Sequence, residues 1–197
     1  MTKLGVFYCL GNDLKSDVEE LKLFFNSKCK ISKYLNHLAH STIYVFEIDP
    51  KKLNDVSKKF ESLQKSMVPV SSTIKNWRVF ENDILTSLNT LCLEIELTNN
   101  LKDLQMNVVK SLFQFHSKNK KLNFEGDLQF SNEKYGYPFV GNHWIPHITV
   151  GSLNLDSKKI TKYAEGLFKF SREITINNLC LFKIDGDSHQ LIKKIGF

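Results

Sequence analysis

Two short motifs in the sequence combine a proton-transfer group with a hydroxyl group at the same spacing. The first is His40-Ser41-Thr42 and the second is His147-Ile148-Thr149. Both run into β-branched and other apolar residues that are typical of strands. Side chains at positions i and i+2 of a strand lie on the same face, so each imidazole and its threonine hydroxyl should point in the same direction.

The residue types in these motifs suit the cleavage of a phosphodiester bond without a metal. A neutral histidine can take the proton of an attacking water or ribose hydroxyl, while a protonated histidine gives one to the leaving oxygen. A pKa of about 6.5 keeps both forms accessible at neutral pH. Threonine hydroxyls can bind the non-bridging oxygens of phosphate. We therefore expect His40 and His147 to be catalytic, and Thr42 and Thr149 to bind phosphate.

The hydrophobic pattern indicates the elements that must position these motifs. Strands are expected at residues 4–10, 42–48, 77–80, 91–97, 148–153, 173–184 and 191–195. Helices are expected at 16–26, from Pro50 to about 63, from a cap at Asn99 or Asn100 to about 115, and at 156–170. Residues 116–143 show no convincing helical period. This order predicts a single α+β domain, 1–197, of two pseudo-symmetric lobes, approximately 1–85 and 86–197.

The composition is that of a soluble domain with its own core. The chain has 197 residues, 42% of them hydrophobic, and a net charge of +6, which favours contact with polyanions without requiring it. Four scattered cysteines form no CxxC pair, so we expect them to be reduced and structural. No apolar run approaches the roughly 18 residues of a membrane span. We expect a cytoplasmic monomer that does not contact a membrane.

Other histidines allow a zinc site to be considered. His37 and His143 lie three and four residues before the motif histidines, so four imidazoles could in principle meet. Neither pair falls on a convincing helix, and no cysteine or clear carboxylate accompanies it, so we expect no metal and no cofactor. His116 and His189 have no supporting context and are expected at the surface.

A few residues near the motifs are weaker candidates for substrate binding. Trp144 and Tyr137 could stack on a base at the mouth of a cleft, although large aromatic residues near a loop more often belong to the core or a wall. Lys75 and Arg78 could reach a phosphate, although only their charge supports this and solvated side chains are the simpler expectation.

The string His-Trp-Ile-Pro-His-Ile-Thr-Val at residues 143–150 is the more specific of the two motifs. With the first motif, it resembles the 2H phosphoesterase superfamily, which includes bacterial RNA 2′,3′-cyclic phosphodiesterases once called 2′-5′ RNA ligases. The resemblance implies a bilobal fold of two antiparallel sheets that face a central cleft, with helices outside. It also implies that His40 and His147 are the catalysts and that Thr42 and Thr149 bind the phosphate.

The resemblance implies an enzyme that opens 2′,3′-cyclic phosphates or cleaves 2′-5′ phosphodiester linkages of RNA or nucleotides. A non-catalytic RNA or nucleotide binding module is the alternative from another class. Two intact proton carriers argue against it, because binding alone does not need them. Trimming of 3′-5′ linked RNA ends stays open as well.

Overall fold

The computed structural model describes residues 1–117, 124–186 and 188–197, which form one antiparallel sheet with helices packed against it. Eight strands are described: β1 (Thr2–Cys9), β2 (His40–Ile48), β3 (Val70–Phe80), β4 (Asn89–Ile95), β5 (His147–Leu153), β6 (Arg172–Ile176), β7 (Asn178–Asp185) and β8 (Ser188–Gly196). Five α-helices are described: α1 (Asn12–Cys29), α2 (Leu53–Ser62), α3 (Asn99–Leu112), α4 (Gly126–Tyr135) and α5 (Ser157–Ala164).

The sheet consists of two four-stranded halves that meet at one residue pair. The strand order is β6-β3-β4-β5-β2-β1-β7-β8, and all the neighbouring strands are antiparallel. Between the central strands β5 and β2, the register pairs only Ser41 with Ile148. The predicted α+β fold is thus confirmed, and its two antiparallel halves are joined edge to edge at the two motifs.

Each half of the sheet takes strands from both sides of residue 85. Strand β3 joins β4, β5 and β6, whereas β7 and β8 extend the half that contains β1 and β2, through the pairing of β7 with β1. The division of the sheet therefore does not coincide with the predicted division of the chain. The pseudo-symmetry of two lobes stays a prediction.

One strand predicted at 173–184 is two strands in the structure. It breaks at Asn177, and the two pieces lie in different halves of the sheet, β6 against β3 and β7 against β1. Both pieces are apolar, with Ile174 and Ile176 in β6 and the run from Leu179 to Phe182 in β7, so the sequence pattern indicated a single strand. Only the pairing with distant strands separates them.

Helix boundaries follow from caps, and two of them differ from the prediction. The cap of α3 is Thr98, whose hydroxyl accepts from the Leu101 N–H at 3.2 Å, and not Asn99 or Asn100. Helix α5 ends at Ala164, well before residue 170, because Gly166 has a φ of +74° and turns the chain away.

Helix α4 lies in the segment that showed no helical period. Its buried residues are the polar Ser131 and Asn132, so it presents no apolar stripe that a sequence pattern could detect. It ends at Gly136, where φ is +70° and where an added Cβ would lie 2.2 Å from the His116 ring. Only glycine fits this turn.

The main core fills the space between the sheet and the helices. Its largest fully buried side chains include Tyr44, Phe46, Phe25 and Phe60, from strand β2 and helices α1 and α2. A second, smaller cluster on β1 and β7 centres on Phe7 and adjoins His40. Within the described residues, no helix has both the length and the apolarity needed to cross a bilayer.

Candidate active site

The two motifs open the two central strands and face each other across the junction of the sheet halves. Strand β2 begins at His40 and β5 at His147, and the middle residues of both motifs, Ser41 and Ile148, form the single pair between these strands. Both middle residues are buried. Because side chains alternate along a strand, both histidines and both threonines lie together on the opposite face. Continuing the register by one residue sets each histidine across from the threonine of the other motif.

A β-bulge follows each motif at the same position. The pairing of β1 with β2 shifts after Thr42, which leaves Ile43 as the extra residue, and the pairing of β4 with β5 shifts after Thr149, which leaves Val150. Both extra residues are fully buried. A bulge re-aims the side chains on either side of it. The motif side chains therefore share one face of the sheet at the junction, while Ile43 and Val150 pack into the main core.

Each motif histidine is held by the same backbone contact. Nδ1 of His40 donates to the carbonyl oxygen of Leu38 at 2.7 Å, and Nδ1 of His147 donates to that of Ile145 at 2.7 Å. A carbonyl can only accept, so the proton is on Nδ1 in both rings. This leaves Nε2 of each neutral imidazole as a proton acceptor, and as a donor once it is protonated.

His40 lies in an aromatic environment. The ring of Phe7 stacks on it, with centroids 3.9 Å apart and an interplanar angle of 24°. The Phe7 ring lies over Gly5, where an added Cβ would come within 2.4 Å of it. The His189 ring lies 5.6 Å from His40 and 4.9 Å from His37. Sequence analysis expected His189 at the surface, but the structure places it beside the first motif.

This environment favours a neutral His40. Burial lowers the pKa of His40 from its usual 6.5 to about 3, although the hydrogen bond to Leu38 raises it. The imidazoles of His189, His37 and His147 lower this pKa further, because they disfavour another positive charge nearby. In the free protein, His40 is therefore neutral at physiological pH, with Nε2 unprotonated.

His147 lies beside charged groups. The register of β4 and β5 sets Glu94 directly opposite His147, and the Phe80 ring lies 5.0 Å from the imidazole. Glu94 forms ion pairs with Arg78 and, at 3.0 Å, with Lys75. Sequence analysis gave solvated side chains as the simpler expectation for Lys75 and Arg78. In the structure Lys75 is exposed and Arg78 is partly exposed, and both also pair with the buried carboxylate next to the second motif.

The charges around His147 act in opposite directions. Burial lowers the pKa of His147, while its hydrogen bond to Ile145 and the carboxylates of Asp83 and Glu94 raise it and Arg78 lowers it. The two carboxylates partly offset the effect of burial, and His40 has no carboxylate among the groups that shift its pKa.

Trp144 connects the two motifs. Its side chain is 3% exposed, and its indole Nε1 donates to the carbonyl oxygen of Thr42 at 3.0 Å. Tyr137 packs edge-on against the buried Tyr44, with centroids 6.0 Å apart, and against Phe139. Both rings are thus packed against protein, and we leave them out of the proposed substrate site.

The remaining candidates lie away from the motif pair. His143 faces Asp127, with 3.6 Å between Nε2 and the carboxylate, and His116 packs at the end of α4. In residues 1–117, 124–186 and 188–197, no three His, Cys, Asp or Glu residues are arranged to hold a metal ion. A groove of about 730 Å³ lies between α1 and residues 167–172, and no motif residue lines it.

Comparison with solved structures shows the same fold at low identity. TT0787 of Thermus thermophilus superposes with a TM-score of 0.67 at 12% identity, covering 98% of this chain and 97% of that one. E. coli LigT in its apo form gives 0.57 at 10% identity, with 99% and 96% covered. E. coli LigT complexed with 3′-AMP gives 0.57 at 10% identity, with 100% and 97% covered. Curated proteins show no match to the sequence.

The sequence itself matches a family profile over most of its length. The profile is that of the 2′-5′ RNA ligase superfamily, and it covers residues 12–188, which include both motifs. The chain therefore belongs to the 2′-5′ RNA ligase superfamily, a group of 2H phosphoesterases.

Proposed function

We propose that this chain is a phosphodiesterase in which His40 and His147 act as a general base and a general acid, without a metal or another cofactor. The observation that carries the proposal is the matched geometry of the two motifs. Both imidazoles are fixed through Nδ1 at 2.7 Å, and both motifs lie on one face of adjacent strands. One phosphate between them would meet a proton acceptor on one side and a proton donor on the other.

The difference between the histidines suggests the direction of proton transfer. His40 takes a proton at Nε2 from the attacking water or ribose hydroxyl, whose oxygen then forms the new bond to phosphorus. His147 gives its Nε2 proton to the leaving ribose oxygen as the old P–O bond breaks. Thr42 and Thr149 donate to the non-bridging oxygens and keep the attacking and leaving oxygens in line.

The proposed substrates are 2′,3′-cyclic phosphates or 2′-5′ linkages of RNA or nucleotides. Membership of the superfamily supports this class, and so does the fold that the chain shares with E. coli LigT, which has been crystallised with 3′-AMP. The net charge of +6 is compatible with an anionic substrate. We propose that the enzyme works as a monomer in the cytoplasm.

The test is cleavage in EDTA of 2′,3′-cyclic nucleotides and of 2′-5′ and 3′-5′ linked oligoadenylates, with product identification by chromatography. His40→Ala and His147→Ala should each lower the rate by about 10³- to 10⁴-fold, because each removes one proton-transfer group. Activity that survives in either single variant at the wild-type level contradicts the proposal. Tight binding of these compounds without any product would instead favour a binding module.

A further inference from the structure

Helix α1 carries a lysine that is buried and bound to the chain just before the first motif. Lys22 is 3% exposed, and its ammonium donates to the carbonyl oxygens of Tyr34 at 2.9 Å and His37 at 2.6 Å. Burial of an ammonium group is costly unless hydrogen bonds compensate for the lost water. Burial lowers the pKa of Lys22 to about 8, which shows that the cost is partly uncompensated.

The segment that Lys22 holds leads directly to the His40 contact. The carbonyl of His37 is bound by Lys22, and the next carbonyl along the chain, that of Leu38, accepts from Nδ1 of His40. The backbone between these two carbonyls is one residue long. A shift of the segment would therefore move the group that fixes the tautomer and the orientation of the His40 ring.

A second helix side chain forms a comparable bridge, between the residue after the first motif and the segment before the second motif. Gln105 lies on α3, which connects β4 towards β5 as α1 connects β1 to β2, and it is fully buried. Its Nε2 donates to the carbonyls of Ile43 at 3.1 Å and Phe139 at 2.9 Å, and its Oε1 accepts from the Gly141 N–H at 2.8 Å. Here too, a helix side chain bridges two carbonyls beside a motif.

We propose that Lys22 is a positioning residue for His40, holding residues 34–38 so that the Leu38 carbonyl keeps the imidazole proton on Nδ1. The inference rests on the proposed function for its kinetic effect, but the tautomer can be measured without any substrate. What the site needs from Lys22 is two N–H donors. A glutamine at this position would supply two donors, as Gln105 does to the carbonyls of Ile43 and Phe139.

The tautomer is measured by long-range ¹H–¹⁵N correlation on protein labelled with ¹⁵N-histidine, with signals assigned from His40→Ala and His147→Ala. Lys22→Met and Lys22→Leu, which fill the space with apolar side chains, should mix the Nδ1–H and Nε2–H forms of His40 and leave His147 unchanged. Lys22→Gln should keep the Nδ1–H form. Lys15→Met is the control, because Lys15 lies on the same helix and pairs with Glu19 at 3.6 Å.

Kinetics with 2′,3′-cyclic AMP give the second readout. Lys22→Met should lower kcat by about 10- to 100-fold with KM within about threefold, as expected for a misplaced catalytic group. Lys22→Gln should stay close to the wild type. A His40 signal that is the same in folded Lys22→Met and Lys22→Leu as in the wild type overturns the inference. The inference is also overturned if His40 loses its Nδ1–H form in Lys22→Gln to the same extent as in Lys22→Met. Neither outcome depends on the substrate being correct.

Discussion

The two motif histidines share a backbone contact but lie in different surroundings. His40 is stacked on Phe7 and adjoins the imidazole of His189, whereas His147 faces Glu94, which is itself held by Arg78. The two motifs therefore have the same geometry but different environments. That of His40 is aromatic and disfavours a positive charge, whereas that of His147 includes a carboxylate. In the proposed mechanism, the neighbours of the two histidines, and not the imidazoles themselves, divide the roles of acid and base between them.

Substitution of the two threonines tests the feature that both motifs share, a hydroxyl proposed to bind the phosphate. Thr42→Val and Thr149→Val each remove a hydroxyl of matched size, and both should lower kcat/KM by about 10²- to 10³-fold, as the loss of a donor to a charged transition state does. Steady-state kinetics on 2′,3′-cyclic nucleotides measure the loss. A large effect for one threonine and none for the other would show that only one half binds the phosphate.

Glu94→Gln tests the environment of His147, which differs from that of His40. The carboxylate raises the pKa of His147, so its removal should lower that pKa. The acid form of His147 then disappears at lower pH, and the alkaline limb of the kcat/KM profile should move to lower pH, with about a three- to tenfold loss at neutral pH. Glu96→Gln, an exposed carboxylate two residues away, is the control. An alkaline limb that stays in place contradicts the assignment of His147 as the acid.

Gly5→Ala should give the smallest effect, on the His40 side. The added Cβ would meet the Phe7 ring at 2.4 Å, so the ring must shift from its stacked position on His40. Overpacking of this kind costs about 1–3 kcal/mol. We expect a lower Tm and a few-fold lower activity, measured by thermal unfolding and initial rates. Gly11→Ala is the matched control, because nothing lies within 4 Å of a Cβ there. Equal behaviour of the two variants would show that the Phe7 stack has no role.

The sequence was sufficient to predict the structural features that depend on local residue patterns. The i, i+2 spacing on two strand starts predicted that His40 and His147 each share a face with a threonine, and the structure brings all four side chains to one junction. Their catalytic roles stay a prediction. The neighbours that distinguish the histidines were missed, because Phe7 and Glu94 come from other strands and only the sheet order brings them to the motifs.

Lys22 did leave a signal in the sequence. It lies four residues after Val18 and three before Phe25, so it occupies a position in the apolar stripe of α1. A charged residue in such a stripe is buried only with partners, which marks it for inspection. Helix α4 left no such signal, because its buried positions are serine and asparagine.

The bulges after Thr42 and Thr149 separate two kinds of evolutionary constraint. Upstream of each bulge, the strand carries a histidine and a threonine on one face, while downstream its buried side chains are mostly apolar. Core positions tolerate many apolar replacements of similar volume. Drift in the downstream residues can therefore proceed without turning the motif side chains, which is in keeping with a fold shared at 12% identity with TT0787 of Thermus thermophilus.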